Sequence, residues 1–127
     1  MSDFKKLRAW QLAHSLSVEV YGVVRSFPAD ERFGLRSQVV RCAGSIGANL
    51  AEGCGRSTTR ELLRFVDIAL GSALELESHL LRAQALGFIE AKALGSYLDQ
   101  VRRLQMMISR MRGALRARVA SRSRSRR

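Results

Sequence analysis

The amino-acid sequence predicts an all-α protein: an antiparallel up-down-up-down four-helix bundle with a disordered, Arg/Ser-rich C-terminal tail. Apolar residues recur at spacings of three and four in four long segments, whereas no segment alternates with a period of two. The composition is 46% hydrophobic with a single proline. Helices of about 20 to 28 residues joined by short loops pack as antiparallel neighbours. We therefore expect one bundle domain over residues 4–116 and a basic tail over residues 117–127.

The first helix is expected to run from about residue 4 to residue 26. It ends at Phe27-Pro28, because the residue before a proline is disfavoured in helical dihedral angles. Its predicted apolar stripe consists of Leu7, Trp10, Ala13, Ser17, Val20, Tyr21 and Val24.

The second helix is expected to begin near Asp30 or Glu31 and to stop at the Gly-Cys-Gly sequence of residues 53–55. Glycine accepts the left-handed conformation that commonly ends a helix. The third helix opens with Thr58 and Glu61, whose spacing is that of a capping box.

The fourth helix starts near Glu90, and we expect it to fray between Leu115 and Ala120. From Ser121 onward the sequence alternates serine and arginine and offers no apolar side chain for burial. Such a segment cannot offset the entropy lost on ordering, so the tail should be disordered when alone.

Positive charge is concentrated at the C-terminal end of the chain. Residues 100–127 contain ten arginines and no acidic residue, whereas the first 99 residues are almost balanced. A charge concentrated in this way attracts polyanions, so RNA or DNA is the first partner to consider. Aromatic residues do not interleave with these arginines, which favours contacts to phosphates over base stacking. The candidate nucleic-acid-binding residues are Arg102, Arg103, Arg110, Arg112, Arg116, Arg118, Arg122, Arg124, Arg126 and Arg127.

The sequence offers no recognisable catalytic centre, so we predict a protein that is not an enzyme and needs no cofactor. His14 and His79 lie in no metal-binding or triad motif, and Glu75 and Glu77 diverge on a helix because they are two residues apart. We accordingly predict no catalytic and no metal-binding residues.

Two further sequence features concern location. Cys42 and Cys54 are twelve residues apart, which matches no metal or redox spacing. The most apolar long window, residues 62–81, contains four charged residues. The free-energy cost of placing these charges in a bilayer argues against a membrane-spanning segment. We predict a cytoplasmic protein without a membrane partner.

Small residues surround the second helix on nearly every side. Each glycine inside a helix costs about 1 kcal/mol of stability relative to alanine. We therefore expect these glycines to allow the backbone of another helix to approach closely, which would offset that cost. The small residues could all serve one tight contact within the bundle. Alternatively, one small face could pack within the bundle and a second could pack against a neighbouring subunit. The small residues are Ala43, Gly44, Ser45, Gly47, Ala48 and Ala51.

Asn49, Glu52 and Arg56 lie on one side of the second helix. Glu52 and Arg56 are spaced to form a surface ion pair. Asn49 needs a hydrogen-bond partner near the core, for which Ser72 is a candidate. A polar site that binds a ligand is the functional alternative to this structural role.

The second helix and its flanks contain a series of distinctive residues: Phe27-Pro28, residues 31–35, Gln38, and above all the segment SIGANLAEGCGR from Ser45 to Arg56. In order and spacing these residues resemble the four-helix-bundle family of 23S rRNA intervening-sequence proteins. It extends over about residues 4 to 115, so the arginine tail lies outside it.

This resemblance implies an antiparallel four-helix bundle assembled as a homopentamer. It also implies kinship with the accessory protein of diversity-generating retroelements, a basic bundle that associates with reverse transcriptase and RNA. No catalytic residue carries over. The family motif residues Ser45, Asn49, Glu52, Gly53 and Arg56 fit a structural role at helix contacts as well as any ligand site.

Three function hypotheses follow from the sequence. The first is a non-enzymatic oligomeric bundle that binds RNA, DNA or a nucleoprotein partner through its basic C-terminal region. The second is a protein–protein interaction scaffold without a nucleic-acid role, in which the tail serves solubility or an acidic client. The third, a small hydrolase or nuclease, has no catalytic motif in its favour. A neutral tail with no partner is the simplest alternative to all three.

Overall fold

The computed structural model describes residues 3–125, which form a four-helix bundle. The helices are α1 (Arg8–Val23), α2 (Leu35–Cys54), α3 (Thr59–Ala85) and α4 (Ala91–Ser125). Each helix packs against the next one in the chain, and α1 also packs against α4. Within the described residues there is no strand. The predicted fold class is therefore confirmed.

The core consists of one apolar face from each helix. Val20 of α1, Ile46 of α2, Leu76 of α3 and Leu104 of α4 are each completely buried.

Every described helix is either too short or too polar to span a membrane.

The buried face of α1 differs from the predicted apolar stripe at Leu16 and Tyr21. Leu16 is buried, whereas Tyr21 is 58% exposed. The carbonyl oxygen of Leu16 accepts a hydrogen bond of 2.8 Å from the hydroxyl of Tyr97, which reaches it from α4. Helix periodicity alone does not determine whether a residue at the edge of the apolar face is buried or exposed. The packing of α4 against α1 decides which side chain faces inward.

Two predicted helix starts lie outside the α-helices. Residues Phe4–Lys6 form a separate 3-10 turn, and Leu7 is extended before α1 begins. Residues Ala29–Glu31 form another 3-10 turn before α2. The carboxylate of Glu31 accepts a hydrogen bond of 2.9 Å from the backbone N–H of Leu35, so Glu31 caps α2 from outside instead of belonging to it.

The ends of α2 and α3 test two capping predictions. Gly55 remains right-handed at the end of α2, so the prediction of a left-handed glycine there is wrong. Gly87, after α3, is the one described residue with a positive φ, at 77°. Thr58 caps α3 as predicted, since its hydroxyl accepts a hydrogen bond from the Glu61 N–H at 3.2 Å. That hydroxyl also lies 3.1 Å from the Glu61 carboxylate, to which it donates.

Helix α4 continues past the predicted end of the bundle domain. It is helical to Ser125, whereas the sequence predicted fraying between Leu115 and Ala120. No glycine or proline interrupts the chain after residue 113, and Arg122 Nη1 donates to Thr59 Oγ1 at 3.0 Å. Beyond Leu115 none of the described side chains is buried. The disorder of residues 117–127 in solution stays a prediction.

Candidate nucleic-acid interface

Eight of the ten candidate arginines lie on α4 within the described residues, and most of them project into solvent. Arg102 Nε lies 3.0 Å from Glu77 Oε2, and Arg112 Nε lies 3.4 Å from Asp67 Oδ1. Among the described residues the other six form no ion pair with a carboxylate. Arg126 and Arg127 lie outside the described residues.

The antiparallel register places the C-terminal half of α4 beside the first half of α3. The Arg112–Asp67 pair and the Arg122–Thr59 hydrogen bond show this alignment directly. The start of α1 reaches the same end of the bundle, because Trp10 lies against Gly47 in the second half of α2.

Basic side chains from the 3-10 turn before α1, α1, the α2–α3 loop, α3 and α4 therefore meet at one end of the molecule, which we call the cationic end. Its acidic residues are Asp3, Glu52, Glu61 and Asp67. Its basic residues are Lys5, Lys6, Arg8, Arg56, Arg60, Arg64, Arg110, Arg112, Arg116, Arg118, Arg122 and Arg124. The cationic end thus has eight more basic than acidic residues. This excess is larger than the number of arginines that α4 contributes to it, which is six.

Residues before α4 also contribute to this surface, which the charge summed along the chain conceals. Residues 1–99 are nearly neutral as a whole. Six of their twelve basic residues, but only four of their eleven acidic ones, lie at the end that the up-down topology places beside the end of α4. Counting charge by half-helix would have found this asymmetry.

The family motif forms hydrogen bonds between α2 and α3. Ser45 Oγ lies 3.0 Å from Ser72 Oγ. Asn49 Nδ2 donates to the Ser45 carbonyl oxygen at 2.8 Å and lies 3.0 Å from Ser45 Oγ. Ser45 therefore stands between the two residues that the sequence had suggested as direct partners. The suggested Asn49–Ser72 contact is replaced by a chain of three side chains.

The other motif residues bring α2 close to α3. The predicted ion pair between Glu52 and Arg56 is present, and the Arg56 guanidinium also lies 4.8 Å from the ring centre of Phe65. A Cβ atom on Gly53 would lie 2.9 Å from Phe65 Cβ and 3.0 Å from Leu62 Cδ1. Glycine is therefore required at residue 53 for the observed separation of the helices.

The small residues of α2 lie on two different faces. Gly47 packs inside the bundle, where an added Cβ would meet Trp10 Nε1 at 3.5 Å. Gly44 and Ala48 are exposed, and an added Cβ at Gly44 would meet no atom within 4 Å. One small face is thus used within the chain, and a second faces outward.

A polar cluster in the other half of the bundle joins Cys42 on α2 to Glu75 and His79 on α3. Cys42 Sγ lies 3.0 Å from Glu75 Oε2, and His79 Nε2 lies 3.1 Å from the same oxygen. Burial, reinforced by the adjacent carboxylate, raises the pKa of the Cys42 thiol to about 12. The hydrogen bonds from Cys42 and His79 lower the pKa of Glu75.

The family model described as 23S rRNA-intervening sequence protein matches residues 5–110 of the chain. The chain belongs to this family. A crystal structure of a protein of unknown function from the S23 ribosomal protein family of Bacteroides thetaiotaomicron has the same fold. Its TM-score is 0.75 at 18% sequence identity, over 81% of this chain and 96% of that one. No curated protein matches the sequence.

The intervening-sequence family match covers the bundle and stops before most of the tail arginines. Its boundary at residue 110 leaves Arg112, Arg116, Arg118, Arg122 and Arg124 outside the matched span. The basic residues of the cationic end that precede α4 lie inside it. The cationic end therefore combines a part that the family model covers with a part specific to the C-terminal extension of α4.

Proposed function

We propose that this 23S rRNA-intervening sequence protein is a non-enzymatic RNA- or DNA-binding protein whose contact surface is the cationic end. The observation that carries the proposal is the meeting of basic side chains from α1, the α2–α3 loop, α3 and α4 at one end of the bundle, where twelve basic residues face four acidic ones. A low-dielectric body behind such a surface strengthens its attraction for polyanions.

The geometry favours contacts to phosphates. Successive residues of a helix are separated by about 100°, so Arg116, Arg118, Arg122 and Arg124 point in different directions around α4. Side chains arranged in this way can reach phosphates on both sides of a nucleic-acid groove. Phosphate contacts set position and affinity but carry no sequence information.

The decisive experiment is a salt titration of binding to structured RNA and to duplex DNA, measured by fluorescence anisotropy. Each phosphate neutralised should contribute about −0.9 to the slope of log K against log salt on duplex DNA. A chain truncated after Leu115 should bind more weakly and with a shallower slope. A flat salt response of the full-length protein, or unchanged binding after truncation, would contradict the electrostatic mechanism.

Self-association is a second part of the proposal, and a homopentamer is the form that the family resemblance implies. The outward small face of α2 supports it, because Gly44 and Ala48 would let a neighbouring helix approach closely. In a pentameric ring, five cationic ends would act on one ligand and raise its avidity.

The oligomer is tested by light scattering of the full-length protein and of Ala48→Glu, which buries a charge if α2 is an interface. We expect a multimer that Ala48→Glu converts to monomers. Ala93→Glu, on the exposed first turn of α4, is the matched control and should leave the mass unchanged. A monomeric full-length protein would refute this part alone.

A protein-interaction scaffold is the alternative function, and one surface favours it. Leu74 and Met106 are 52% and 57% exposed and lie with Leu70 in a shallow depression between α3 and α4. Under this alternative, Leu74→Glu abolishes partner capture and truncation after Leu115 preserves it. Nucleic-acid binding through the cationic end predicts the opposite pattern.

A further inference from the structure

The Cys42, Glu75 and His79 cluster combines three metal-ligand chemistries at one point between two helices. Their sulfur, oxygen and nitrogen atoms all lie within 4.8 Å of one another. We propose that these three side chains bind a divalent transition-metal ion, with Zn²⁺ the ion that best fits the donor set. The site lies in the half of the bundle opposite the cationic end and is independent of the proposed nucleic-acid contact.

The backbone already brings the three residues together. Glu75 and His79 are four residues apart on α3 and therefore share one face of the helix. Cys42 faces them from α2 because the two helices are antiparallel, an alignment also shown by the Ser45–Ser72 contact one turn away. No helix has to move to assemble the ligands.

The distances are close to those of a tetrahedral zinc site. With bonds of about 2.3 Å to sulfur and about 2.0–2.2 Å to nitrogen and oxygen, tetrahedral ligand atoms lie roughly 3.2–3.6 Å apart. The observed 3.0 Å between Cys42 Sγ and Glu75 Oε2 and 3.1 Å between His79 Nε2 and that oxygen are slightly shorter than this range. Cys42 Sγ and His79 Nε2 lie within 4.8 Å of each other, and side-chain rotation would set all three separations when the ion binds.

The donor chemistry and charge select the kind of metal. A thiolate with an imidazole suits Zn²⁺ and related transition metals, whereas Mg²⁺ and Ca²⁺ prefer oxygen ligands. A Cys42 thiolate and the Glu75 carboxylate together balance a charge of +2.

The burial of the three groups leaves one side of the site accessible. Cys42 is buried and the His79 side chain is 18% exposed, but the Glu75 side chain is 59% exposed. An ion held by three protein ligands keeps its fourth position toward solvent, where water completes the tetrahedron. The ion also ties α2 to α3, so its binding should stabilise the folded chain.

Cobalt provides a direct test, because Co²⁺ occupies zinc sites and its thiolate complexes absorb in the near ultraviolet. Full-length reduced protein is stripped with chelator, titrated with Co²⁺ and then with Zn²⁺. We expect one Co²⁺ per chain, a thiolate-to-cobalt charge-transfer band, loss of that band on adding Zn²⁺, and a higher Tm with Zn²⁺.

The variants separate this site from adventitious binding. Cys42→Ala should remove the charge-transfer band, and His79→Gln should lower the affinity at least about tenfold. Cys54→Ala and His14→Gln are the matched controls and should behave like the unaltered protein. Absence of the band, or its persistence in Cys42→Ala, would overturn the proposal. Zn²⁺ binding that leaves Cys42→Ala and the unaltered protein with the same affinity would also overturn it.

Discussion

The two ends of this bundle carry nearly equal numbers of charged residues but differ sharply in balance. The cationic end has twelve basic and four acidic residues within the described chain. The opposite end has eight basic and seven acidic residues, which nearly cancel. Helix packing needs only the apolar faces, so the fold accommodates either balance. An uncompensated charge destabilises a compact protein through self-repulsion, so the two ends differ in the electrostatic free energy that they contribute to folding.

The largest expected effect comes from neutralising the tail while keeping its length. The variant Arg116→Gln, Arg118→Gln, Arg122→Gln and Arg124→Gln should weaken binding to duplex DNA and make the salt slope shallower by about 3.6, or 0.9 per phosphate contact. Fluorescence anisotropy at several salt concentrations measures both quantities.

The matched control for that variant removes four arginines from the opposite end. Arg25, Arg32, Arg36 and Arg82 are replaced by glutamine, which changes net charge by the same amount. We expect a much smaller loss of affinity. Equal losses would mean that net charge alone drives binding and that the contrast between the ends has no functional meaning.

The second prediction compares two glycines within α2. Gly53→Ala places a Cβ 2.9 Å from Phe65 Cβ, so overpacking should lower the free energy of unfolding by about 1–3 kcal/mol. Gly44→Ala meets no atom of its own chain within 4 Å, so in the Ala48→Glu background, where no subunit covers this face, it should raise the free energy of unfolding by about 0.5–1 kcal/mol through helix propensity. Chemical denaturation measures both. Similar effects of the two substitutions would contradict the distinction between a packed and an open face.

The third prediction concerns acid sensitivity in the balanced half. Hydrogen bonds from Gln105 and Arg102 lower the pKa of Glu77 from its ordinary value of 4.5. The ionised carboxylate therefore stabilises the fold above about pH 4.5, and this contribution is lost as the pH falls through the lower folded-state pKa.

Thermal denaturation across that range should show a stability gap between the protein and Glu77→Gln that narrows as the pH falls. Asp99→Asn, at an exposed position of α4 without a side-chain hydrogen bond among the described residues, is the control. It should show no comparable gap at neutral pH. A Glu77→Gln gap that widens on acidification would reverse the assigned sign.

The smallest expected effect is that of the tail on stability. Truncation after Arg116 removes no buried side chain and should change the free energy of unfolding by less than about 0.5 kcal/mol. Circular dichroism of the same pair tests the predicted disorder, since a helical tail would add ellipticity in proportion to its length. A large loss of stability would show that the tail belongs to the folded unit.

Several features of the fold were predictable because they depend on neighbours along the chain. The recurrence of apolar residues at spacings of three and four in α2, α3 and α4 matches the observed core, and the Thr58 cap and the Glu52–Arg56 pair are local contacts within one turn. The start of α2 was predicted too early because Glu31 satisfies the Leu35 N–H from outside the helix. From sequence alone, a residue that caps a helix in this way cannot be distinguished from a residue of its first turn. Only the hydrogen bond in the structure distinguishes the two.

By itself the sequence determined the four helices, the family motif and the excess of arginine after residue 99, since periodicity, spacing and charge are properties of the chain. Only the tertiary structure decided that Ser45 joins Asn49 to Ser72, that Cys42 meets Glu75 and His79, and that basic residues of α1, the α2–α3 loop, α3 and α4 share one end. The physical reason is that contacts across helices depend on their axial offset and rotation. Side-chain packing over the whole interface, including the close approach at Gly53, sets both.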